Sequence, residues 1–144
     1  MRSFVVVNNP RDWNFNIDNV EVISAKSYLT ESNFAEIKSA RVFNLCRSYR
    51  YQATGYYVSL LAEARGHRSF PNVSTIQDIK TQSIVRIISD DLEELIQKSL
   101  VKIKSKEFVL SIYFGQNMAH QYDKLTSQLY NLFSGSVTKS KFYF

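Results

Sequence analysis

Hydrophobic residues along the first third of the chain come in short runs separated by polar turns. The β-branched run Ser3–Val7 is followed by Asn8-Asn9-Pro10, a pattern typical of a strand that ends in a turn. Val20–Ile23 and Val42–Cys46 have the same character, and the second run is apolar enough for the centre of a sheet. The polar stretch 30–39 between them predicts a short helix. This part of the chain therefore alternates strands with a helix.

The clearest helical pattern covers Gln52–Arg65. Its apolar positions follow the i, i+3, i+4, i+7 spacing of one helix face: Tyr57, Leu60, Leu61 and Ala64. Gly66 follows this stretch, at the position where a residue in the left-handed backbone conformation commonly ends a helix. We expect this helix to follow the strand Val42–Cys46 directly and to bury the Tyr57 face.

Two shorter segments follow, and their patterns are less uniform. Thr75 with Asp78 three residues later resembles a capping box that opens a short helix. The run Ile84–Ile88 is compatible with a strand or a helix. Ser89 and the acidic residues after it favour a helix start at that point.

The last third of the chain predicts a hairpin and a final helix. Val101–Lys104 and Phe108–Phe114 are two strand-like runs separated by a short polar turn. Met118–Phe133 carries a helical stripe, with Gly135 as its end. The tail 136–144 ends in Phe142-Tyr143-Phe144, which is unusually apolar for a free terminus, so we expect that something packs there or that the native chain continues.

Strands separated by helices predict a three-layer α/β sandwich with a mainly parallel sheet and a late antiparallel hairpin. An α+β arrangement is the alternative. With 144 residues, of which 44% are hydrophobic, the chain is long enough for one domain with its own core, so we predict a single domain over residues 1–144.

The charge and cysteine content limit the cellular setting and the partners. The net charge of +5 comes largely from lysines of the C-terminal half, which we interpret as a solvated strand edge, and nucleic acid is not expected as a partner. A single cysteine, Cys46, suits a reducing compartment, and neither a signal peptide nor a membrane-length apolar run is present. We therefore expect a cytoplasmic protein without a membrane partner.

Known catalytic and cofactor motifs are missing from the sequence. The 4 glycines are isolated from one another, which excludes a dinucleotide fingerprint and a phosphate-binding loop. Only His67 and His120 could supply imidazole ligands, so no metal site is expected. Cys46 with His67 could form a thiol–imidazole pair, but Cys46 lies within an apolar strand, where a buried inert thiol is the ordinary expectation. No catalytic residue is assigned.

The segment between the predicted strand Val42–Cys46 and the predicted helix Gln52–Arg65 remains as a candidate site. Guanidinium groups beside the unpaired amides of a helix start could bind a carboxylate or a phosphate, and tyrosines add hydroxyl groups and stacking faces. The candidate anion- or substrate-binding residues are Arg47, Ser48, Tyr49, Arg50, Tyr51, Gly55 and Tyr56. The alternative is that the arginines are surface charges and the tyrosines pack against a neighbouring element.

The same segment carries a family resemblance. The run RVFNLCRSY at 41–49, followed by YQ at 51–52 and GYYVSLLAEARGH at 55–67, resembles the RimK-like ATP-grasp N-terminal domain. Phe108–Gly115 and the spacing of the last helix add to the resemblance, which covers most of the chain. It implies an ATP-grasp module in cis, on the C-terminal side, of the type that joins an amino acid or a peptide to a carboxylate through an acyl phosphate.

The resemblance implies a non-catalytic role for this chain. We expect an excised substrate-recruiting or scaffolding domain of a RimK-like ATP-dependent carboxylate–amine ligase, active in peptide modification. The ATP-grasp module is absent from residues 1–144, and ATP and magnesium are expected only there; no cofactor is expected here. The alternative is a stand-alone binding module for a small anion or a peptide. A third possibility is an unrecognised enzyme that uses the Cys46–His67 region. The resemblance assigns no catalytic residue.

Overall fold

The structure is a computed structural model that describes residues 1–133 and 137–143. Backbone contacts divide the chain into two compact units, Met1–Ile76 and the part from Gln77 onward. The single domain expected over residues 1–144 stays a prediction.

The first unit is built on a four-stranded parallel sheet. Its strands are β1 (Arg2–Val7), β2 (Val20–Ser24), β3 (Ala40–Asn44) and β4 (Arg68–Phe70). Their order across the sheet is β2-β1-β3-β4, and each neighbouring pair is parallel. The predicted α/β class with a mainly parallel sheet is confirmed. Sequence patterns missed β4, because three residues with only one large apolar side chain give no strand signal.

Two helices connect these strands. They are α1 (Ala25–Thr30) and α2 (Thr54–Ala64), and short 3₁₀ turns occupy Pro10–Asp12 and Ser32–Phe34. The crossovers from β2 to β3 and from β3 to β4 run in the same direction, so right-handed connections place α1 and α2 on one face of the sheet, where they contact each other.

Two helices predicted in this region differ from the observed ones. The helix expected over 30–39 does not form: that stretch contains the 3₁₀ turn Ser32–Phe34, and α1 lies before it, where the Ser24 hydroxyl accepts the Ser27 amide at 2.9 Å and caps the helix. The helix expected to open at Thr75 is α3 (Val73–Lys80). There the Asn72 side chain accepts the Thr75 amide at 2.7 Å, so Asn72 provides the cap.

The core of the first unit lies between the sheet and the two helices. Ring contacts within it include Phe4 against Phe34, with centroids 5.6 Å apart. Its buried members come from β1, α1, β3 and α2 and the segments beside them: Phe4, Val6, Ala25, Tyr28, Phe34, Ala40, Val42, Cys46, Val58 and Ala62.

The helix α2 buries a different face from the predicted one. Tyr57 and Leu60 are each 41% exposed. The buried residues follow the same helical spacing two positions earlier: Gly55, Val58, Ser59 and Ala62. Three of these four residues are small, which lets the helix lie close to the sheet, and Ser59 satisfies a buried amide of β3. The hydrophobic pattern alone therefore predicted the wrong face of α2 to be buried.

The second unit combines helices with an antiparallel strand pair. Its elements are α4 (Gln82–Asp91), α5 (Glu93–Leu100), β5 (Glu107–Tyr113), a 3₁₀ turn at His120–Tyr122, α6 (Asp123–Leu132) and β6 (Val137–Tyr143). The ambiguous run Ile84–Ile88 is helical, and the helix start expected at Ser89 falls instead at Glu93. The core of this unit consists of Leu100, Leu110, Ile112, Leu125 and Leu129.

The late hairpin does not form as predicted. Strand β5 pairs antiparallel with β6, from Glu107 opposite Tyr143 to Tyr113 opposite Val137. Residues 101–104 are not a strand: the Ile103 amide donates to the Leu100 carbonyl, which continues the turn out of α5, and Val101 is exposed. Gly135, expected to end the last helix, and the terminal Phe144 lie outside the described residues.

Candidate functional site

The strand order creates a topological switch point in the first unit. From β1 the chain crosses to β2 on one side and later returns to β3 on the other, so the carboxyl ends of β1 and β3 are neighbours with diverging connections. Open α/β sheets bind ligands in the crevice at such a point. The segments that border it are 8–12 after β1 and 45–53 after β3.

Two contacts join these segments across the switch point. The Arg47 backbone amide donates to the Asn8 side-chain oxygen at 2.7 Å. The Arg47 guanidinium forms an ion pair with Asp12, with 2.5 Å between nitrogen and oxygen. The side chains of Arg47 and Asp12 are 76% and 52% exposed, so both charges also face solvent. Opposite charges therefore lie side by side at the switch point.

Buried hydrogen bonds hold the end of β3 against α2. Asn44 is fully buried, and its amide nitrogen donates to the Gly55 carbonyl at 2.7 Å and to the Ser59 hydroxyl at 2.8 Å. Its side-chain oxygen accepts the Cys46 amide at 3.2 Å. The Tyr49 hydroxyl donates to the Asn44 carbonyl at 2.5 Å. This network fixes the point from which the 45–53 segment leaves the sheet.

Gly55 lets that segment lie directly on the first turn of α2. A Cβ atom at this position would be 2.3 Å from the Ser48 carbonyl oxygen and 2.8 Å from the Cys46 side chain. Both distances are below contact range, so any larger residue would push the segment away. Gly55 thus positions Ser48 and is not itself open to a ligand.

The remaining predicted residues separate into two groups. Arg47, Ser48 and Arg50 lie on the open turn, where the Ser48 hydroxyl accepts the Arg50 amide at 3.3 Å. Tyr51 and Tyr56 form an edge-on ring pair with centroids 5.6 Å apart, and Tyr51 is exposed. Tyr49 points inward, and burial raises the pKa of its hydroxyl well above the ordinary value.

Two residues beside the switch point, Asn8 and Asp12, were not among the residues predicted from the sequence. Asn8 follows β1 immediately and Asp12 ends the 3₁₀ turn at Pro10–Asp12. The Asn8-Asn9-Pro10 turn after the first strand was visible in the sequence. Combined with the rule that ligands collect at strand carboxyl ends, it would have indicated both residues.

The thiol–imidazole pair considered for Cys46 and His67 is not formed. Burial raises the pKa of the Cys46 thiol to about 11, so it stays protonated near neutral pH. The His67 ring is occupied elsewhere: Nε2 lies 2.8 Å from the Ile37 carbonyl and Nδ1 lies 2.8 Å from the Tyr28 hydroxyl. Because a carbonyl only accepts, Nε2 carries the proton and Nδ1 accepts from Tyr28. Both groups stabilise the core.

Three other features that could indicate a function are a metal-binding cluster, a surface depression and a membrane-spanning helix. Within the described ranges, no three His, Cys, Asp or Glu side chains are grouped so that they could hold a metal ion. An open depression of about 530 Å³ lies at the amino ends of β1 and β2, the opposite edge from the switch point, and is bordered by Arg2 and Glu21. No described helix is long and apolar enough to cross a bilayer.

In open α/β sheets, ligands commonly bind beside a switch point of this kind. The family described as the RimK-like ATP-grasp N-terminal domain matches residues 25–143. The chain belongs to this family, as its resemblance indicated, and the family implies an ATP-grasp module in cis. Neither the curated proteins nor the solved structures gave a match.

Proposed function

We propose that this domain recruits substrate for a RimK-like ATP-dependent carboxylate–amine ligase in the cytoplasm. The observation that supports the proposal is the switch point of the parallel sheet, where Arg47 and Asp12 present opposite charges to solvent. Family membership supplies the ligase context, and the proposal assigns the binding of ATP and magnesium and the chemistry to the ATP-grasp module. The domain itself contributes binding and orientation of a substrate.

A recruiting site of this kind acts on substrate affinity more than on turnover. Residues that hold a substrate away from the reacting atoms change KM, whereas the acyl-phosphate chemistry in the ATP-grasp module sets kcat. The open turn around Arg47 and Arg50 offers two guanidinium groups for a carboxylate. Asp12 makes a simple inorganic anion a poor occupant, because its own charge repels it.

The experiment is steady-state kinetics on the longer protein that contains the ATP-grasp module. Replacing Arg47 and Arg50 together by Ala should raise KM for the substrate about tenfold while the KM for ATP and kcat stay unchanged, if each lost contact contributes about 0.7 kcal/mol. Lys102→Ala, which removes a charge from the second unit, is the matched control. An unchanged substrate KM in the double variant would refute recruitment at this site.

The alternative function is a stand-alone module that binds a small anion or a peptide. The exposed rings of Tyr51 and Tyr57, with Tyr56 between them at centroid distances of 5.6 and 5.7 Å, favour a peptide over an inorganic ion. The reading frame downstream of Phe144 discriminates the two functions. An ATP-grasp module there supports recruitment in cis, and a stop codon supports the stand-alone module.

A further inference from the structure

Helix α4 carries all its aliphatic side chains on one face, and no residue of this helix is buried. By helical spacing the face consists of Ile84, Val85, Ile87 and Ile88. Val85 is 37% exposed and Ile87 is 61% exposed. We propose that this face is a self-association surface, on which α4 of a second copy of the chain docks in the antiparallel direction.

Packing within the chain leaves this face uncovered. Among the described residues, the core cluster of the second unit contains no side chain of α4. A helix of 10 residues is marginal in water on its own, and its β-branched residues lower the helix propensity further. Most helices gain their stability by packing an apolar face. A partner that covers this face would therefore supply stability that the chain itself does not.

The symmetry of the apolar row indicates a second copy as the occupant. Two aliphatic residues precede Arg86 and two follow it, so the row is symmetric about the middle of the helix. In an antiparallel pair related by a two-fold axis, the rows of the two copies coincide over their whole length. Ile84 of one copy then faces Ile88 of the other. A pair shifted along the helix would leave part of each row uncovered.

The charges at the two ends of α4 indicate the antiparallel direction. Asp90 and Asp91 lie at the carboxyl end, and neither forms a salt bridge within the described part of the chain. The amino end has no side-chain cap, and the Thr81 hydroxyl there donates to the Gln77 carbonyl at 3.0 Å. Its unpaired amides carry a partial positive charge. Antiparallel docking brings the carboxylates of each copy to the uncapped amides of the other.

The small size of the contact sets the expected affinity. A helix of 10 residues is about 15 Å long, so two such faces bury on the order of 600 Å² in total. Stable complexes bury about 1,200–2,000 Å². We therefore expect a weak dimer, with a dissociation constant on the order of 0.1 mM.

Sedimentation velocity of the 144-residue chain between about 10 µM and 1 mM tests the proposal. The weight-average sedimentation coefficient should rise with concentration towards that of a dimer. Ile87→Lys places a charge on the apolar face and should weaken the association more than tenfold. Met118→Lys is the matched control, because it adds the same charge at another apolar residue, 89% exposed, outside α4. It should leave the association unchanged, and both variants should keep the wild-type circular dichroism spectrum.

A second substitution tests the direction of the two helices. Asp91→Asn removes a carboxylate from each end of the contact and leaves the apolar face intact. It should weaken the association about threefold to tenfold, with the larger effect at low salt. An unchanged dissociation constant for this variant would overturn the antiparallel arrangement.

Three results would overturn self-association through this face. They are a chain that stays monomeric at about 1 mM, wild-type association of the Ile87→Lys variant, and equal weakening by Met118→Lys. A monomeric chain whose α4 amides gain protection from hydrogen exchange only in the ATP-grasp-containing protein would assign the face to that module instead.

Discussion

The close packing of the 45–53 segment on α2 makes Gly55→Ala an informative substitution. Within an ordinary helix, alanine would be more stable than glycine by about 1 kcal/mol. Here the added Cβ would lie 2.3 Å from the Ser48 carbonyl oxygen and 2.8 Å from the Cys46 side chain, so the segment or the helix must move. We expect a net loss of about 1–3 kcal/mol in the free energy of unfolding, since overpacking outweighs the helix propensity.

Urea denaturation followed by fluorescence measures this loss in the first unit, because Trp13 is the only tryptophan in the sequence. Ala64→Gly at an exposed position of the same helix is the control for propensity, with an expected loss of about 1 kcal/mol. The Gly55→Ala variant should also shift the Ser48 amide. A variant as stable as the wild type, or more stable, would refute the close approach of Ser48 to Gly55.

Four further substitutions test the packing of the first unit. Val58→Ala should cost about 2 kcal/mol, whereas Leu60→Ala, on the exposed face of α2, should cost less than about 1 kcal/mol; the reverse order in urea denaturation would contradict the assigned face. Asn44→Ala should cost about 2–4 kcal/mol, because it leaves the Gly55 carbonyl without its buried donor; a loss below about 1 kcal/mol would contradict the network. The raised pKa of Cys46, about 11 against 9.0, means that the folded protein holds the thiol proton more tightly than the unfolded chain. Stability from this group is therefore complete below pH 9 and is lost as the pH rises towards 11, by up to about 2–3 kcal/mol, and Cys46→Ala should remove this part of the alkaline loss.

Much of the first unit was predictable because its strands carry strong local signals. The runs at Ser3–Val7, Val20–Ile23 and Val42–Cys46 each correspond to a strand of the sheet within two residues at either end. The helix α2 and its end at Gly66, where φ is +75°, also followed from local pattern and from glycine chemistry.

The predictions that were wrong concern features that depend on contacts between residues far apart in the sequence. The buried face of α2 depends on Ser59 meeting Asn44 across the core, which a hydrophobic stripe cannot reveal. The partner of β5 is β6, separated from it by α6, whereas sequence reasoning favoured the adjacent residues. Long-range strand pairing has no signature within a short window.

The candidate site was also predicted only in part, because local sequence patterns do not show which distant residues come together. The strand–turn–helix pattern located Arg47, Ser48 and Arg50 on an open turn. It could not show that Tyr49 points inward or that Asp12 lies beside Arg47, since both depend on contacts made after folding. The strand order, which sequence alone did not provide, brings the segments 8–12 and 45–53 together at the switch point.

Exchange of the two charges in the ATP-grasp-containing protein tests the central claim most directly. Asp12→Arg combined with Arg47→Asp keeps an ion pair between the two segments but reverses the positions of its charges. If the pair serves substrate recruitment, the substrate KM should rise about fivefold or more while the midpoint of thermal unfolding and kcat stay at the wild-type values. A wild-type KM in the exchanged variant would show that the pair only joins the segments, and would contradict the account.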